Sequence, residues 1–192
     1  MSLMPCFGPD QAEAEGNIVG RILAGYGELE VTMLACLVAI EGQIDRPTRL
    51  LFKRMSAEKR IKQAGSALLP DYKKAGLESE MSEALSDINW CRKLRNQYAH
   101  CQWGWTTPLG LFFVNLEDLA EDPAPIIKVM SKPLYVDVPL LYKQEAYCNY
   151  VREQFMHLQT AYEAWDRKSS GSRISRYIFP KPSKVIRPAL SN

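Results

Sequence analysis

The sequence predicts a mainly α-helical fold: an antiparallel bundle of four helices, with a small antiparallel β-insert between the third and the fourth. Three observations carry that prediction. Apolar residues recur at helical spacing in four stretches. The spacing switches to short alternating runs on either side of Pro108-Leu109-Gly110. The links between the first three helices are short, which favours antiparallel neighbours. With 192 residues, 46% hydrophobic and 24% charged, the chain suits one domain, and a domain of this size buries roughly 70% of its unfolded surface. Disordered, collagenous and disulfide-framework classes are excluded.

The first helix covers about 17–42. Ile18, Ile22, Leu29, Met33, Leu37 and Ile40 line one side, and 31–40 is apolar almost all round. Gly25 and Gly27 fall mid-helix, where each costs about 1 kcal/mol relative to alanine; close backbone approach is the expected reason. Asn17, Arg21, Glu28 and Thr32 form a polar stripe. Glu30 lies instead among Tyr26, Met33 and Leu37, where a carboxylate requires a cationic partner. The second helix covers about 46–66, with Pro47 at its start and Gly65 and Pro70 ending it. The third opens at Glu78 or Ser79 and runs to about His100, with Met81, Leu85, Ile88, Cys91, Leu94 and Tyr98 inward. A hairpin follows at 103–107 and 111–116, then strands at 126–130 and 134–138. Pro139 starts the last helix, about 139–168, with a stripe of Leu140, Tyr147, Val151, Phe155, Leu158, Tyr162 and Trp165. The domain is therefore 1–168, with its insert at about 102–138, followed by a tail, 169–192.

Charge is unevenly spread. After Asp166 there is no acidic residue, only Arg167, Lys168, Arg173, Arg176, Lys181, Lys184 and Arg187. Ile174, Tyr177, Ile178 and Phe179 are interleaved with them, so the tail is expected to lie against its own body or a partner chain. A second basic block, Arg46, Arg49, Lys53, Arg54, Lys59, Arg60 and Lys62, contains one acid, Glu58. Such blocks attract phosphates. The five cysteines form no Cys-x-x-Cys pair and read as reduced core residues of a cytoplasmic protein. No secretory signal is visible, and the ten-residue apolar run 31–40 is short of the roughly 20 residues of a membrane span. No zinc site and no cofactor motif is expected.

The chemistry-bearing stretch is the end of the third helix: Arg92-Lys93-Leu94-Arg95-Asn96-Gln97-Tyr98-Ala99-His100. Arg152 and His157 repeat the Arg-x4-His spacing, but Glu153 follows that arginine, and His157 falls beside Tyr150, Glu153 and Gln154 on what reads as an outer face. Arg95 is followed by Asn96, lies on the inward stripe and precedes a helix end. Positions five apart on a regular helix point about 140° away from each other. Arg95 and His100 therefore converge only if the helix unwinds near Ala99 or a second subunit supplies the missing group.

Arg95-Asn96-x-x-x-His100 in a small helical bundle resembles the motif of the HEPN superfamily (higher eukaryotes and prokaryotes nucleotide-binding). The resemblance implies a four-helix bundle, a homodimer and metal-independent cleavage of RNA, in proteins of toxin or defence type that travel with an antitoxin. Other members are catalytically inactive binding or assembly modules for a protein or nucleotide. In the nuclease reading the RNA 2′-OH is the nucleophile. His100 moves protons near neutral pH, Arg95 holds the scissile phosphate, and Asn96 orients either. The products are a 2′,3′-cyclic phosphate and a 5′-OH. Glu30, with Glu28 second, is the carboxylate chosen to fix Arg95, and Tyr98 is counted as a further supporting residue. Trp103, Trp105, Arg92 and Lys93 are candidate RNA contacts; the two tryptophans alternatively pack the hairpin onto the bundle, which is the favoured expectation. Gln102 stands where one subtype carries a tyrosine that is nucleotidylated, so the sequence departs from that subtype.

Overall fold

A computed structural model describes residues 12–106, 110–115, 134–167 and 180–185. It is mainly helical with a small antiparallel sheet. Five helices are described: α1 (Glu13–Glu41), α2 (Asp45–Phe52), α3 (Ala57–Lys74), α4 (Glu78–His100) and α5 (Val138–Arg167). Strands β1 (Cys101–Thr106), β2 (Gly110–Asn115) and β3 (Leu134–Tyr135) stand between α4 and α5 and form one antiparallel sheet in the order β1-β2-β3. The chain divides into two compact units. The first comprises Met1–Ala24, Lys93–Ala146 and Ser183–Asn192, and the second Gly25–Arg92 and Tyr147–Pro182.

The stripe expected on α1 is inward: Ile18, Ile22, Leu29, Met33 and Leu37 are buried. By length and composition α1 also qualifies as a membrane-spanning helix, unlike the shorter run weighed from the sequence. Of the apolar window that qualifies it, 39% is buried within the structure. Its end is set by Gly42, at φ +68, whose N–H donates to the Val38 carbonyl. The close approach expected at Gly25 and Gly27 is not found: a Cβ at either would meet nothing within 4 Å.

The single helix expected over 46–66 is two. Gln43 Oε1 accepts from the backbone N–H groups of Asp45 and Arg46 at the start of α2. Lys53 is extended after it, and Ser56 restarts the helix by accepting from the Lys59 N–H at 3.4 Å. Pro70 does not stop α3. It sits inside the helix, which continues because Leu68 and Tyr72 are fully buried and the Tyr72 hydroxyl donates to the Leu158 carbonyl at 3.3 Å. That burial outweighs the roughly 3 kcal/mol an internal proline costs. The helix ends instead at Gly76, φ +74, where the Leu77 N–H returns to the Tyr72 carbonyl.

The hairpin lies where alternation placed it, with β1 starting two residues early. Gly104 faces Phe112 across the ladder, and a Cβ on Gly104 would come within 2.4 Å of that ring. The strand expected at 134–138 shortens to Leu134–Tyr135. Asp137 then caps α5, its Oδ1 accepting from the Leu140 N–H at 2.8 Å. The strand expected at 126–130 lies outside the described residues.

The basic tail is not a separate appendage over its described part. Lys181 belongs to the second unit and Val185 to the first. The Lys181 ammonium sits 2.5 Å from Glu83 and 2.5 Å from the fully buried Asp87, beside the Tyr150 ring. The Val185 carbonyl accepts from Gln144 Nε2 at 2.9 Å. Of the alternatives left by the sequence, these residues lie against their own body.

Candidate functional site

The last turns of α4 grade from core to surface. Leu94 and Tyr98 are buried, Arg95 and Asn96 half-buried, and Ala99 and His100 exposed. The helix stays regular through His100. The unwinding near Ala99 that would let Arg95 and His100 of one chain converge is therefore absent, and their directions differ by about 140°. His100, in the last turn, stands where a cation is favoured by the helix dipole.

Tyr98 fixes this end of the helix. Its hydroxyl donates to Gln144 Oε1 at 2.5 Å, while Gln144 holds the Val185 carbonyl with its amide nitrogen. Its ring packs on Trp103 and Phe113, with centroids 5.3 and 5.6 Å away. Its carbonyl accepts from Trp103 Nε1 at 3.2 Å. Trp103, which the sequence left between packing the hairpin onto the bundle and stacking bases, is engaged by Tyr98 and by Phe113 at 5.4 Å. It pins the sheet to α4. Trp105 is half-buried on the same strand.

The carboxylates chosen for Arg95 have other cations. Glu30 does carry the cationic partner its apolar setting demands, but that partner is Arg60, at 2.7 Å. Arg60 also donates to the Met55 carbonyl and lies over the Phe52 ring. The second oxygen of Glu30 is buried and unbonded. Glu28 pairs with Arg152 at 2.8 Å. Arg92 donates to Asn89 at 2.9 Å and reaches Glu58 at 3.5 Å, while Lys93 is exposed. Near the other Arg-x4-His pair, Tyr150 and Gln154 are buried rather than on an outer face.

Two features escaped the sequence reading. Gln144, fully buried in α5, links Tyr98 to the tail. Asp87, 1% exposed, receives the tail lysine. The signal for Asp87 was present: it falls between Ala84 and Cys91, both buried, on one face of α4. Burial, a hydrogen bond to Asp87 and the Asp87 charge together drive the Tyr147 hydroxyl well above the ordinary tyrosine range. Burial likewise raises the Cys36 and Cys101 thiols to about 12, although hydrogen bonds oppose the shift, so neither is a nucleophile at neutral pH. Among the described residues no group of three His, Cys, Asp or Glu side chains is placed to hold a metal ion. Comparison of the chain with protein-family models, curated proteins and solved structures finds no match in any of the three.

Proposed function

We propose that this protein is a cytoplasmic, metal-independent endoribonuclease of toxin or defence type. In this reading it belongs with the HEPN-like bundles and acts as a homodimer whose partner genes include an antitoxin. The observation that carries the reading is the end of α4. There an exposed imidazole, His100, follows a half-buried Arg95-Asn96 pair on a helix end clamped by Tyr98, Gln144 and Trp103.

In this reading the parts combine across two subunits, and the regular helix supports that choice. One chain turns Arg95 and His100 apart, so a phosphodiester meets both only where two α4 ends face each other across a twofold axis. Arg95 of one subunit holds the phosphate oxygens and stabilises the charge that builds on them. His100 of the other takes the 2′-OH proton or delivers one to the departing 5′-oxygen. The new O–P bond closes a 2′,3′-cyclic phosphate, and the P–O5′ bond breaks. Asn96, one helical turn before His100, steadies the imidazole.

The test is cleavage of total RNA in EDTA. Arg95→Ala and His100→Ala are each expected to lower the rate by about 100-fold or more, the ordinary worth of a general acid–base or charge-stabilising group. Arg152→Ala leaves it unchanged. The divergence of Arg95 and His100 within one chain also favours a second reading, a silent binding module. Wild-type protein that is monomeric and cuts nothing at micromolar concentration selects it.

A further inference from the structure

The basic block at α2 and the start of α3 is more one-sided in the structure than in the sequence. Arg60 turns inward to Glu30, and the block's one acid, Glu58, is held by Arg92. Arg46 pairs with Glu41. Arg49, Lys53, Arg54, Lys59 and Lys62 are all exposed, and no ion pair to a carboxylate is found for any of them among the described residues. They fall within fourteen consecutive residues on two helices and the turn that joins them. Lys59 and Lys62, three apart on α3, are face neighbours, with Cβ atoms about 5–6 Å apart. Phe52 ends α2, 40% exposed, and the Arg60 guanidinium lies over its ring, 5.3 Å from the centroid.

Exposed charge of one sign at this density attracts anions, and the apolar residues bear on which kind. A helix that lies on a bilayer inserts a continuous apolar face. Around α2, Pro47 and Leu51 are buried, and the exposed apolar side chains, Ile44 before the helix and Phe52 at its end, stand two turns apart with exposed Asp45, Arg46 and Arg49 between them, so they form no continuous face. The segment thus presents five exposed cations close together in sequence and one exposed aromatic ring supported by Arg60, the residue types that hold a phosphate backbone and stack a base.

We propose that the α2–α3 turn docks the backbone of single-stranded RNA, with Arg49, Lys53, Arg54, Lys59 and Lys62 on phosphates and Phe52 against a base. The choice of RNA rests on the nuclease reading; the charge argument does not. Docking here carries the affinity for the strand, so the end of α4 needs to recognise only one phosphodiester.

The test is fluorescence anisotropy with a labelled 20-nucleotide oligouridylate in EDTA, using the His100→Ala chain so that the probe is not cut. Five phosphate contacts give a slope of log affinity against log salt of about −3.5, which is roughly a 100-fold loss between 50 and 200 mM. Neutralising Lys53, Arg54, Lys59 and Lys62 to glutamine is expected to flatten that slope to about −0.7. Phe52→Ala weakens binding by about tenfold with the slope unchanged. A slope unaffected by the four neutralisations overturns the proposal. So does binding to phosphatidylserine vesicles by a chain that ignores the oligonucleotide. The two readings fail separately. Wild-type protein that binds the probe with these properties but never cuts RNA removes the nuclease alone, whereas a quadruple variant that cuts and binds long RNA as wild type does removes the docking surface alone.

Discussion

Replacing Lys181 by methionine removes the ammonium that meets Asp87 while keeping most of the apolar stem of the side chain. Asp87 is 1% exposed, and Lys181 is 2.5 Å from its carboxylate. Removing one partner of a fully buried ion pair costs about 3–5 kcal/mol, because the other charge is left without compensation. Lys181 is about a third exposed, so water screens part of the interaction and the expected loss falls to about 2 kcal/mol. Its contact with Glu83, a half-exposed side chain, contributes little of this. For a chain of this length such a loss lowers the melting temperature by about 4–8 °C. Burial lowers the Lys181 pKa, but hydrogen bonds to Asp87 and Glu83 raise it further, to a net value above that of an ordinary lysine. A base raised in the folded state stabilises below its unfolded pKa, about 10.4, and loses that contribution only as pH climbs through the folded value. The deficit of Lys181→Met is therefore constant from neutral pH to about pH 10 and shrinks above it. The assay is urea denaturation of wild type, Lys181→Met, Asp87→Asn and the double variant. Their cycle should give a coupling of at least about 1 kcal/mol. Additive effects, or a single-variant loss below about 0.5 kcal/mol, refute the role given to this contact.

Three further outcomes follow from the same contacts. Arg60→Ala leaves Glu30 buried with neither oxygen bonded and should cost about 3 kcal/mol in urea denaturation, much of it recovered by Glu30→Gln in the same chain. Gly104→Ala drives a Cβ into the Phe112 ring and should lower stability by about 1 kcal/mol or more, with Phe112→Ala relieving the added strain in a melting experiment. Iodoacetamide at pH 8, followed by mass spectrometry of the Cys101 peptide, should modify that thiol about a thousandfold more slowly than a free cysteine, with the rate rising towards pH 12; modification at the free rate contradicts the burial.

The helices were legible because their apolar spacing is strong. Ile18, Ile22, Leu29, Met33 and Leu37 mark one face of α1, and α4 ends at His100, where the pattern ends it. The break between α2 and α3 was hidden by the run of Leu50, Leu51 and Met55, which continues a helical pattern across Lys53 and Arg54. Ser56 lacks the glutamate three residues on that would have announced a capping box. Pro70 misled in the other direction, because a local stop signal yields when Leu68 and Tyr72 on either side are buried. Around the candidate site, sequence fixed the need but not the partner. An acid among apolar neighbours demands a cation, and Glu30 has one, but only tertiary packing selects Arg60 from the twelve arginines. Trp103, by contrast, reads in the sequence chiefly as a residue that packs the hairpin onto the bundle, with base stacking as the alternative, and the fold packs it on Tyr98 and Phe113.

The central claim is that Arg95 of one subunit and His100 of the other act on one phosphodiester. Mixing Arg95→Ala and His100→Ala chains, after unfolding and refolding them together, tests it most directly. Each variant alone is inactive in EDTA. Random pairing makes half of the dimers mixed, each with one of its two sites intact, so the mixture should recover about a quarter of wild-type RNA cleavage. A mixture as silent as its components, beside a wild type that cuts, contradicts the shared site.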